Sequence, residues 1–514
     1  MFKLFFSLTF LISLTVLGQK EASYWYFGDK VGFDFSKSSF KTLTDGARII
    51  GLGSSAMSDK TSGKLLLYAD GSGIFDSGHQ RMPDGNFITS PGDPTDSTTR
   101  WLDFEQQTLI IPVPAREFCY YVFHTDAPNY PYTDTTYLRY TMIDMRLRNG
   151  RGGVIEKMDE NTFLAKEVFR LTAVPHSNGK DYWLITHSYD NSDFLIFPVT
   201  SQGIGTPLVQ TIGSIHLRGI RFGQLKPSPN GKKIAAAMFG GQYDHADLFD
   251  FNATTGQLSN PIDLGRLRSV GGISFSPDNS KLYVACLGSD ANGQVNYDII
   301  RQYDLTDESP QSIINSGQSI VKDNPFTNIN QGRTEGRYSY DNLTYTELGM
   351  QLGIDGKLYW INLRSSSDDL QKAELTVIHY PNKRGFACDI NIVNFNFPGV
   401  YDDPDGYPSD GLPNFMQSYF NGISSDTSTD DCQSGSVSLY PNPCSEIVRV
   451  GSASSCISYY HIDLINMLGQ KLQSDSYLAI GSEINVSSLP SGIYFISITT
   501  NTHEQFTKKL IINR

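Results

Sequence analysis

Apolar residues along most of this chain come in short runs, four to eight long, separated by turn-forming clusters. From about Tyr24 to Phe420 one unit recurs. A turn rich in Pro, Asp, Asn and Gly is followed by a β-branched and aromatic run, and then by another. The clearest copies are Lys226-Pro227-Ser228-Pro229-Asn230-Gly231-Lys232-Lys233-Ile234-Ala235 and Ser274-Phe275-Ser276-Pro277-Asp278-Asn279-Ser280-Lys281-Leu282-Tyr283-Val284, with a looser one at Leu352 to Trp360. Proline presets φ at the turn entrance, and Asn or Gly accepts the left-handed backbone that closes a hairpin. After each turn comes an outer strand with rough alternation, at Ala246–Phe251, Ile300–Leu305 and Leu375–Tyr380, as a sheet covered on one face requires. Weaker copies lie at Ser62–Tyr68, Phe118–Phe123 and Ser177–Ile185.

The copies recur at intervals of roughly 45 to 75 residues, the spacing of β-propeller blades with loop insertions. Six are visible. A seventh blade closes if the N-terminal strand Trp25-Tyr26-Phe27-Gly28 pairs with strands just before Phe420. The fold class is therefore all-β, a β-propeller of seven blades; a pair of β-sandwiches is the rival, and the repeated turn-then-strand unit favours the propeller. With 514 residues the chain exceeds one ordinary core unless that core is a large symmetric assembly.

Both ends differ from this body. Residues 1–18 start with Lys3 and an apolar run, Leu4 to Leu14, and end Val16-Leu17-Gly18, the pattern of a secretory signal peptide. The run is short of the ~20 residues that span a bilayer, so removal is expected, leaving a body over 19–420. Residues 421–436 contain Ser424-Ser425-Asp426-Thr427-Ser428-Thr429-Asp430-Asp431, small and polar, a flexible linker. A strand-dense module then occupies 437–514.

Composition narrows the function. Net charge is −13, which argues against nucleic acid as a partner. The six cysteines form no Cys-x-x-Cys pair, so a structural zinc is not indicated. Cys119 and Cys286 sit in strand-like runs as buried thiols. Cys432, Cys444 and Cys456 cluster near the C-terminal module, where Cys444 with Cys456 is the first choice for one bridge, although spacing does not fix the pairing.

The C-terminal module carries four motifs in order: Leu439-Tyr440-Pro441-Asn442-Pro443; Ile462 to Gln470, ending Leu468-Gly469-Gln470; Ile484 to Ile496, containing Leu489-Pro490-Ser491-Gly492-Ile493-Tyr494; and Lys508-Lys509-Leu510-Ile511-Ile512. Together they resemble the type A C-terminal sorting domain of the bacterial type IX secretion system. The resemblance implies an immunoglobulin-like β-sandwich recognised by the type IX secretion machinery, with cargo released or attached to the outer cell surface. Tyr440, Pro441, Asn442, Pro443, Gly469, Gln470, Leu489, Gly492 and Tyr494 are its motif residues. Physically, Pro441-Asn442-Pro443 makes a rigid turn, Leu468-Gly469-Gln470 a hairpin turn, and Gly492 frees the backbone before the last aromatic strand.

The body also resembles exported propeller-like proteins of unsettled activity, through Trp25-Tyr26-Phe27-Gly28, Leu65 to Gly71, Leu171 to His176 and Gly411-Leu412-Pro413-Asn414-Phe415-Met416-Gln417-Ser418-Tyr419-Phe420. That likeness bears on fold and not on mechanism.

Candidate chemistry is sparse. The nine histidines form no His-Glu-x-x-His pair. His176 and His187 flank Asp181 on consecutive strand-like runs, and the simpler reading makes them ordinary blade residues. Neither a Gly-x-Ser-x-Gly elbow nor a complete phosphate loop occurs, since Gly51-Leu52-Gly53-Ser54-Ser55 lacks its Gly-Lys-Ser/Thr. In the acidic stretch Tyr401 to Gly411, Asp403, Asp405 and Asp410 offer oxygen ligands for Ca²⁺, but Pro404 and the missing bidentate Glu spoil an EF-hand, and a solvated turn is the simpler account. No other cofactor is indicated. Three classes remain open: an interaction propeller holding an extracellular protein or glycan, a propeller hydrolase or lyase, and a structural surface-coat component. The first is preferred because no acid/base signature is legible.

Overall fold

The computed structural model describes residues 19–28, 30–36, 40–47, 53–87, 106–126, 135–217, 223–238, 245–267, 270–286, 288–289, 295–296, 300–320, 349–363, 372–396, 411–423, 437–452, 459–479, 481–500 and 505–514. It divides into two units, Met1–Ser425 and Asp426–Arg514. Among the described residues the only α-helix is the short Pro310–Ser316.

Seven antiparallel sheets of three to five strands follow one another along the first unit, and a two-stranded hairpin, Gly288–Ser289 with Val295–Asn296, falls between the second and third strands of the sixth in chain order. The first holds Tyr24–Phe27, Val31–Asp34 and Lys41–Leu43; the second Ser55–Ser58, Leu65–Ala69, Gly73–Asp76 and Arg81–Asn86. The third holds Thr108–Pro112, Cys119–Asp126, Tyr137–Asp144 and Gly153–Lys157, with Ala165–Lys166 alongside. The fourth holds Val168–Pro175, Tyr182–Ser188 and Asn191–Thr200, edged by Gly203–Ile204 and Leu208–His216. The fifth holds Leu225–Pro227, Lys233–Met238, His245–Asn252 and Gln257–Arg266; the sixth Ile273–Phe275, Lys281–Ala285, Ile300–Asp304 and Gln318–Ser319. The seventh holds Met350–Leu352, Leu358–Leu363, Lys372–Ile378 and Ile390–Asn396. First strands of successive sheets, from the second to the seventh, lie side by side. Each sheet therefore radiates from a common axis, the arrangement of a β-propeller.

All six turn-rich units of the sequence fall on the hairpin between the first and second strands of a sheet. The turn residues act as their types require: Gly231 has φ 68°, Asn279 φ 66° and Gly356 φ 75°. One strand per sheet was not anticipated. The run Ala246–Phe251 lies inside a third strand that pairs on both sides, with Gln257–Arg266 beyond it. The same holds for Ile300–Leu305 and Leu375–Tyr380, so these runs are not edges. Their strict alternation is also blurred because neighbouring sheets cover both faces; Lys281–Ala285 is buried at every position.

Ring closure differs from the expected strand pairing. Tyr24–Phe27 pairs only with Val31–Asp34 among the described residues. It runs opposite to Ser55–Ser58: the Ser58 amide donates to Glu21 O and the Ser54 hydroxyl to Tyr26 O. The segment before Phe420 is no strand. Gly411 to Met416 is irregular and Gln417–Phe420 is a 3-10 turn, in keeping with Pro413, which has no amide to donate. This segment runs down the axis in the direction of the first strands. Its start is near Ser54, to whose carbonyl the Asn414 amide donates, and its end is near the turn of the sixth sheet, where the Gly422 amide donates to Pro277 O. It thus stands where the first sheet would have its innermost strand, held by side chains. Trp25 lies 5.9 Å from Phe415 and 5.6 Å, edge to face, from Tyr359 of the seventh sheet.

The axis is filled by amides. Asn414 Nδ2 donates to Thr108 O at 3.1 Å and Leu171 O at 2.7 Å, in the third and fourth sheets. Gln106 Nε2 donates to Asn414 Oδ1 at 3.1 Å and to Leu225 O at 3.0 Å, and its Oε1 accepts from the Leu225 amide at 2.6 Å. Gln224 Oε1 accepts from the amides of Ile273 and Met350, reaching the sixth and seventh sheets. Lys226 Nζ and Gln417 Nε2 both donate to Gln351 Oε1.

In the second unit Val437–Tyr440, Ile447–Ser452 and Glu483–Asn485 form one sheet; Lys471–Ala479, Tyr459–Ile465, Gly492–Thr500 and Gln505–Ile512 form the other, in that order. Val448, Val450, Ile462, Leu464, Ile496 and Leu510 from both share one core. Cys444 is a buried free thiol facing that core; Cys456, its expected partner, lies outside the described residues.

Replacing Asn414 by Leu keeps the volume and strips three hydrogen bonds from a site only 2% exposed. Each stranded buried partner costs roughly 1–3 kcal/mol. Urea unfolding is expected to show a loss of about 3 kcal/mol or more at an unchanged slope.

Candidate binding face

The two ends of the ring are built differently. At one end, here the turn end, first and second strands are joined by tight hairpins such as Asp59–Lys64, Pro227–Lys233 and Phe275–Lys281, pinned by Asx and Ser bonds. Asp59 Oδ1 accepts from the Ser62 amide at 2.7 Å, and Ser276 Oγ donates to Asp278 at 2.6 Å. At the opposite end, here the loop end, finish the described strands that flank 88–105, 127–134, 239–244, 321–348, 364–371 and 397–410, segments that lie outside the described residues. Asp403, Asp405 and Asp410 fall in the last of these. Among the described residues no group of three or more His, Cys, Asp or Glu could hold a metal ion.

Beneath the loop end two buried polar clusters occupy the sheets. In the fourth sheet Arg170 is fully buried, donating through Nε to Gly223 O at 2.8 Å and through Nη1 to His216 Nδ1 at 2.9 Å. The His216 and His187 rings stack at 3.5 Å. The arginine makes Nδ1 of His216 an acceptor, so its proton is on Nε2; His187 donates from Nδ1 to Ser188 O, leaving Nε2 as an acceptor. Both Nε2 atoms are buried without a hydrogen-bond partner. Burial holds His187 down to about 3, and burial, then the neighbouring His187 and Arg170, hold His216 well below its usual value.

In the third sheet His124 stacks on Phe87 at 3.7 Å, and its Nδ1 lies 3.8 Å from Asp126. Arg139 pairs with Asp126 and donates to the carbonyls of Asp159, Glu160 and Thr162. Burial drives the His124 imidazole well down, and it pushes the Asp126 carboxyl up to about 7 against the pull of Arg139. The imidazoles and guanidiniums of these clusters are nearly or wholly enclosed.

His176 and His187 are not brought together. His176 lies in the hairpin Pro175–Tyr182 at the turn end, with Nδ1 accepting from the Asn178 amide, while His187 is at the far end of Tyr182–Ser188. Asp181 accepts from Asn178 Nδ2 within the same turn. Neither the amide hub nor Arg139 and Arg170 was singled out in the sequence, where isolated polar residues in apolar runs were the only sign of them.

In the C-terminal unit the motif residues build turns and fasten the last strand. Tyr440 ends its strand, half exposed, and opens the Pro441-Asn442-Pro443 turn; Asn442 donates to Lys509 O and accepts from the Ile511 amide. Gly469, at φ 79°, closes the turn in which Asn466 accepts from the amides of Leu468 and Gln470. Leu489 packs against the core, and the Tyr494 hydroxyl donates to Pro490 O. Gly492 is not left-handed, and a Cβ there meets only ordinary contacts, so the backbone freedom anticipated at this glycine is not used.

Residues 438–513 match the family of secretion system C-terminal sorting domains. That match makes the chain a protein secreted through the type IX system, outside the cell or on its outer surface. Among solved structures the chain is similar to a periplasmic gluconolactonase of Pseudomonas aeruginosa (13% identity over 74% of this chain and 88% of that one, TM-score 0.33). It is similar too to a quinonprotein alcohol dehydrogenase-like protein of Bacteroides thetaiotaomicron (13%, 74% and 76%, TM-score 0.36) and to a β-propeller domain from Myceliophteria thermophila (11%, 55% and 83%, TM-score 0.30). At these values the likenesses carry no argument about activity. No curated protein matches the sequence. Among the described residues no helix is long and apolar enough to cross a membrane.

The buried imidazoles fix a pH response. His124, His187, His216 and His379, the last held at about 4 by burial, stay neutral in the fold and charge once unfolded below about pH 6.5. Their depressed values make the unfolded state the better proton acceptor, so stability falls with pH below that point. Asp126, pushed up to about 7 by burial, and Asp247 and Glu21, also raised by burial, work the other way. The four imidazoles outnumber the raised carboxyls, so unfolding takes up protons and stability is expected to fall between pH 7.5 and 5.5. Urea midpoints at pH 7.5, 6.5 and 5.5 check this; a flat or rising series contradicts it.

Proposed function

We propose that this is an exported interaction protein whose seven-bladed body binds an extracellular protein or glycan through the connections at its loop end. The observation that carries the reading is the asymmetry of the ring. The axis is filled by the chain's own Gly411–Phe420 segment and its amide partners, and one face is closed by tight hairpins. The turn end also carries the ordered connections 305–317 and 379–389, whereas the strands flanking 88–105, 127–134, 239–244, 321–348, 364–371 and 397–410 end at the other face. By sequence those latter segments are rich in aromatic residues, among them Trp101, Tyr130, Tyr132, Tyr243, Tyr338 and Tyr401. Aromatic side chains supply large contact area at little entropic cost and stack on sugars, and binding is disproportionately borne by loops on a rigid scaffold.

The C-terminal module serves delivery in this reading. The type IX machinery recognises residues 437–514, and the linker over 421–436 is the place where body and module part. The body's last described residues, at Asn421 and Gly422, lie at the turn end, bonded to Asn279 and Pro277 of the sixth sheet.

Screening the full chain on glycan arrays and cell-envelope extracts, beside a panel of hydrolase substrates, tests the proposal. Saturable binding without turnover is expected, weakened at least tenfold when Tyr130 and Tyr132 are both changed to Ala. Turnover that disappears on replacing one or two loop-end carboxylates would instead make the body a hydrolase or lyase. Binding indifferent to every loop-end substitution would remove the face from consideration.

A further inference from the structure

The turn end of the third sheet departs from the tight, regular hairpins around it. A shallow open cavity of about 440 Å³ lies there, lined by Ala115 to Cys119, Asp144, Arg146 and Ile155. It is of small-ligand size. Four non-glycine residues in the two turns beside it hold a left-handed backbone: Ala115 (φ 58°), Phe118 (φ 63°), Arg148 (φ 53°) and Asn149 (φ 57°). For a bulky residue such as Phe this conformation is a true outlier. The side chain is not packed into the core, Phe118 being 56% exposed. The backbone around the ring is nonetheless firmly fixed: the Phe118 carbonyl accepts from the Met145 amide at 2.8 Å, and the Cys119 carbonyl from the Val113 amide at 2.9 Å.

The polar lining is balanced, with two guanidiniums and two carboxylates. Asp144 is committed to the Nε and Nη2 edge of Arg146, at 2.9 and 2.6 Å. Arg116 Nη1 lies 3.7 Å from the Met142 sulfur. Glu117 is exposed beside it. Summed over the four groups the lining has no net charge and favours neither an anion nor a cation. It matches paired hydroxyls, which both donate and accept, next to an apolar ring face.

We propose that this cavity binds a neutral hexopyranose unit of an extracellular glycan, with the ring stacked on Phe118 and its hydroxyls bridging Arg116, Glu117 and Arg146. The strained backbone then holds an aromatic platform in a place where the fold alone would prefer glycine, as strain kept at a functional site does. This site is on the face opposite the loop end and stands independently of it.

Isothermal titration of the full chain with neutral tri- and tetrasaccharides of glucose, galactose and mannose, alongside a trigalacturonate and a polyglutamate peptide, tests the assignment. Saturable binding of at least one neutral oligosaccharide is expected. Phe118→Gly should weaken it at least tenfold while leaving the melting temperature unchanged or higher, since glycine relieves the strain. Arg116→Ala should weaken it at least fivefold, and the Tyr130/Tyr132 pair of loop-end changes should leave it intact. The proposal is overturned if no neutral oligosaccharide binds, or if binding survives Phe118→Gly. Tighter binding of trigalacturonate or polyglutamate at the same residues would assign the site to an acidic ligand instead. A drop in melting temperature with Phe118→Gly would make the ring a structural element.

Discussion

The architecture depends on one buried polar assembly, the amides on the propeller axis. First strands of neighbouring sheets splay around that axis, so their inner backbone groups cannot complete a ladder with one another. Buried and unpaired, such groups cost about as much as they would return if bonded. Asn414 reaches the second, third and fourth sheets through one main-chain and two side-chain donations. Gln106 carries the connection to the fifth, and Gln224 from the fifth to the sixth and seventh. Phe415 on Trp25 brings in the first sheet. Primary amides suit this role, since each both donates and accepts and remains uncharged in an enclosed site.

Two functional consequences follow. Filling the axis with the chain's own residues takes away the location where side chains from many blades could converge on a substrate, and leaves the faces. The ring is also closed from within by a segment immediately before the linker. The body therefore has its own closure, and the sorting module, with a separate core of Val448, Ile462, Ile496 and Leu510, need not contribute to it.

Much of this was legible in the sequence where structure follows from local turn chemistry. The six Pro/Asn/Gly units marked six first hairpins because those residues fix φ regardless of surroundings. The sorting motifs were legible for the same reason: Asn442, Asn466 and Gly469 act within a few residues of themselves or on a neighbouring strand. Fourth strands such as Gln257–Arg266 were missed because an edge strand with mixed exposure has neither a turn signature nor a clean period. The role of Asn414 was hidden although the Gly411–Phe420 stretch drew attention as a family-like motif. Its bonds join residues 243 and 306 positions apart in sequence, and an irregular segment shows no periodicity. His176 and His187 looked like neighbours because both flank one strand, whose length in fact holds them at opposite ends of a blade. The calcium candidates Asp403, Asp405 and Asp410 lie beyond the described residues and stand as an expectation only.

The most direct test of the central constraint is a comparison of two shortened chains, one ending at Ile423 and the other at Asn396, which lacks the axial segment. If the amide hub closes the ring, the chain ending at Ile423 unfolds in one cooperative transition and protects the Leu225, Ile273 and Met350 amides from hydrogen exchange. The chain ending at Asn396 then loses that cooperativity and exchanges those amides rapidly. Equal melting behaviour and equal protection in the two would show that the sheets close the ring without Asn414 and its partners.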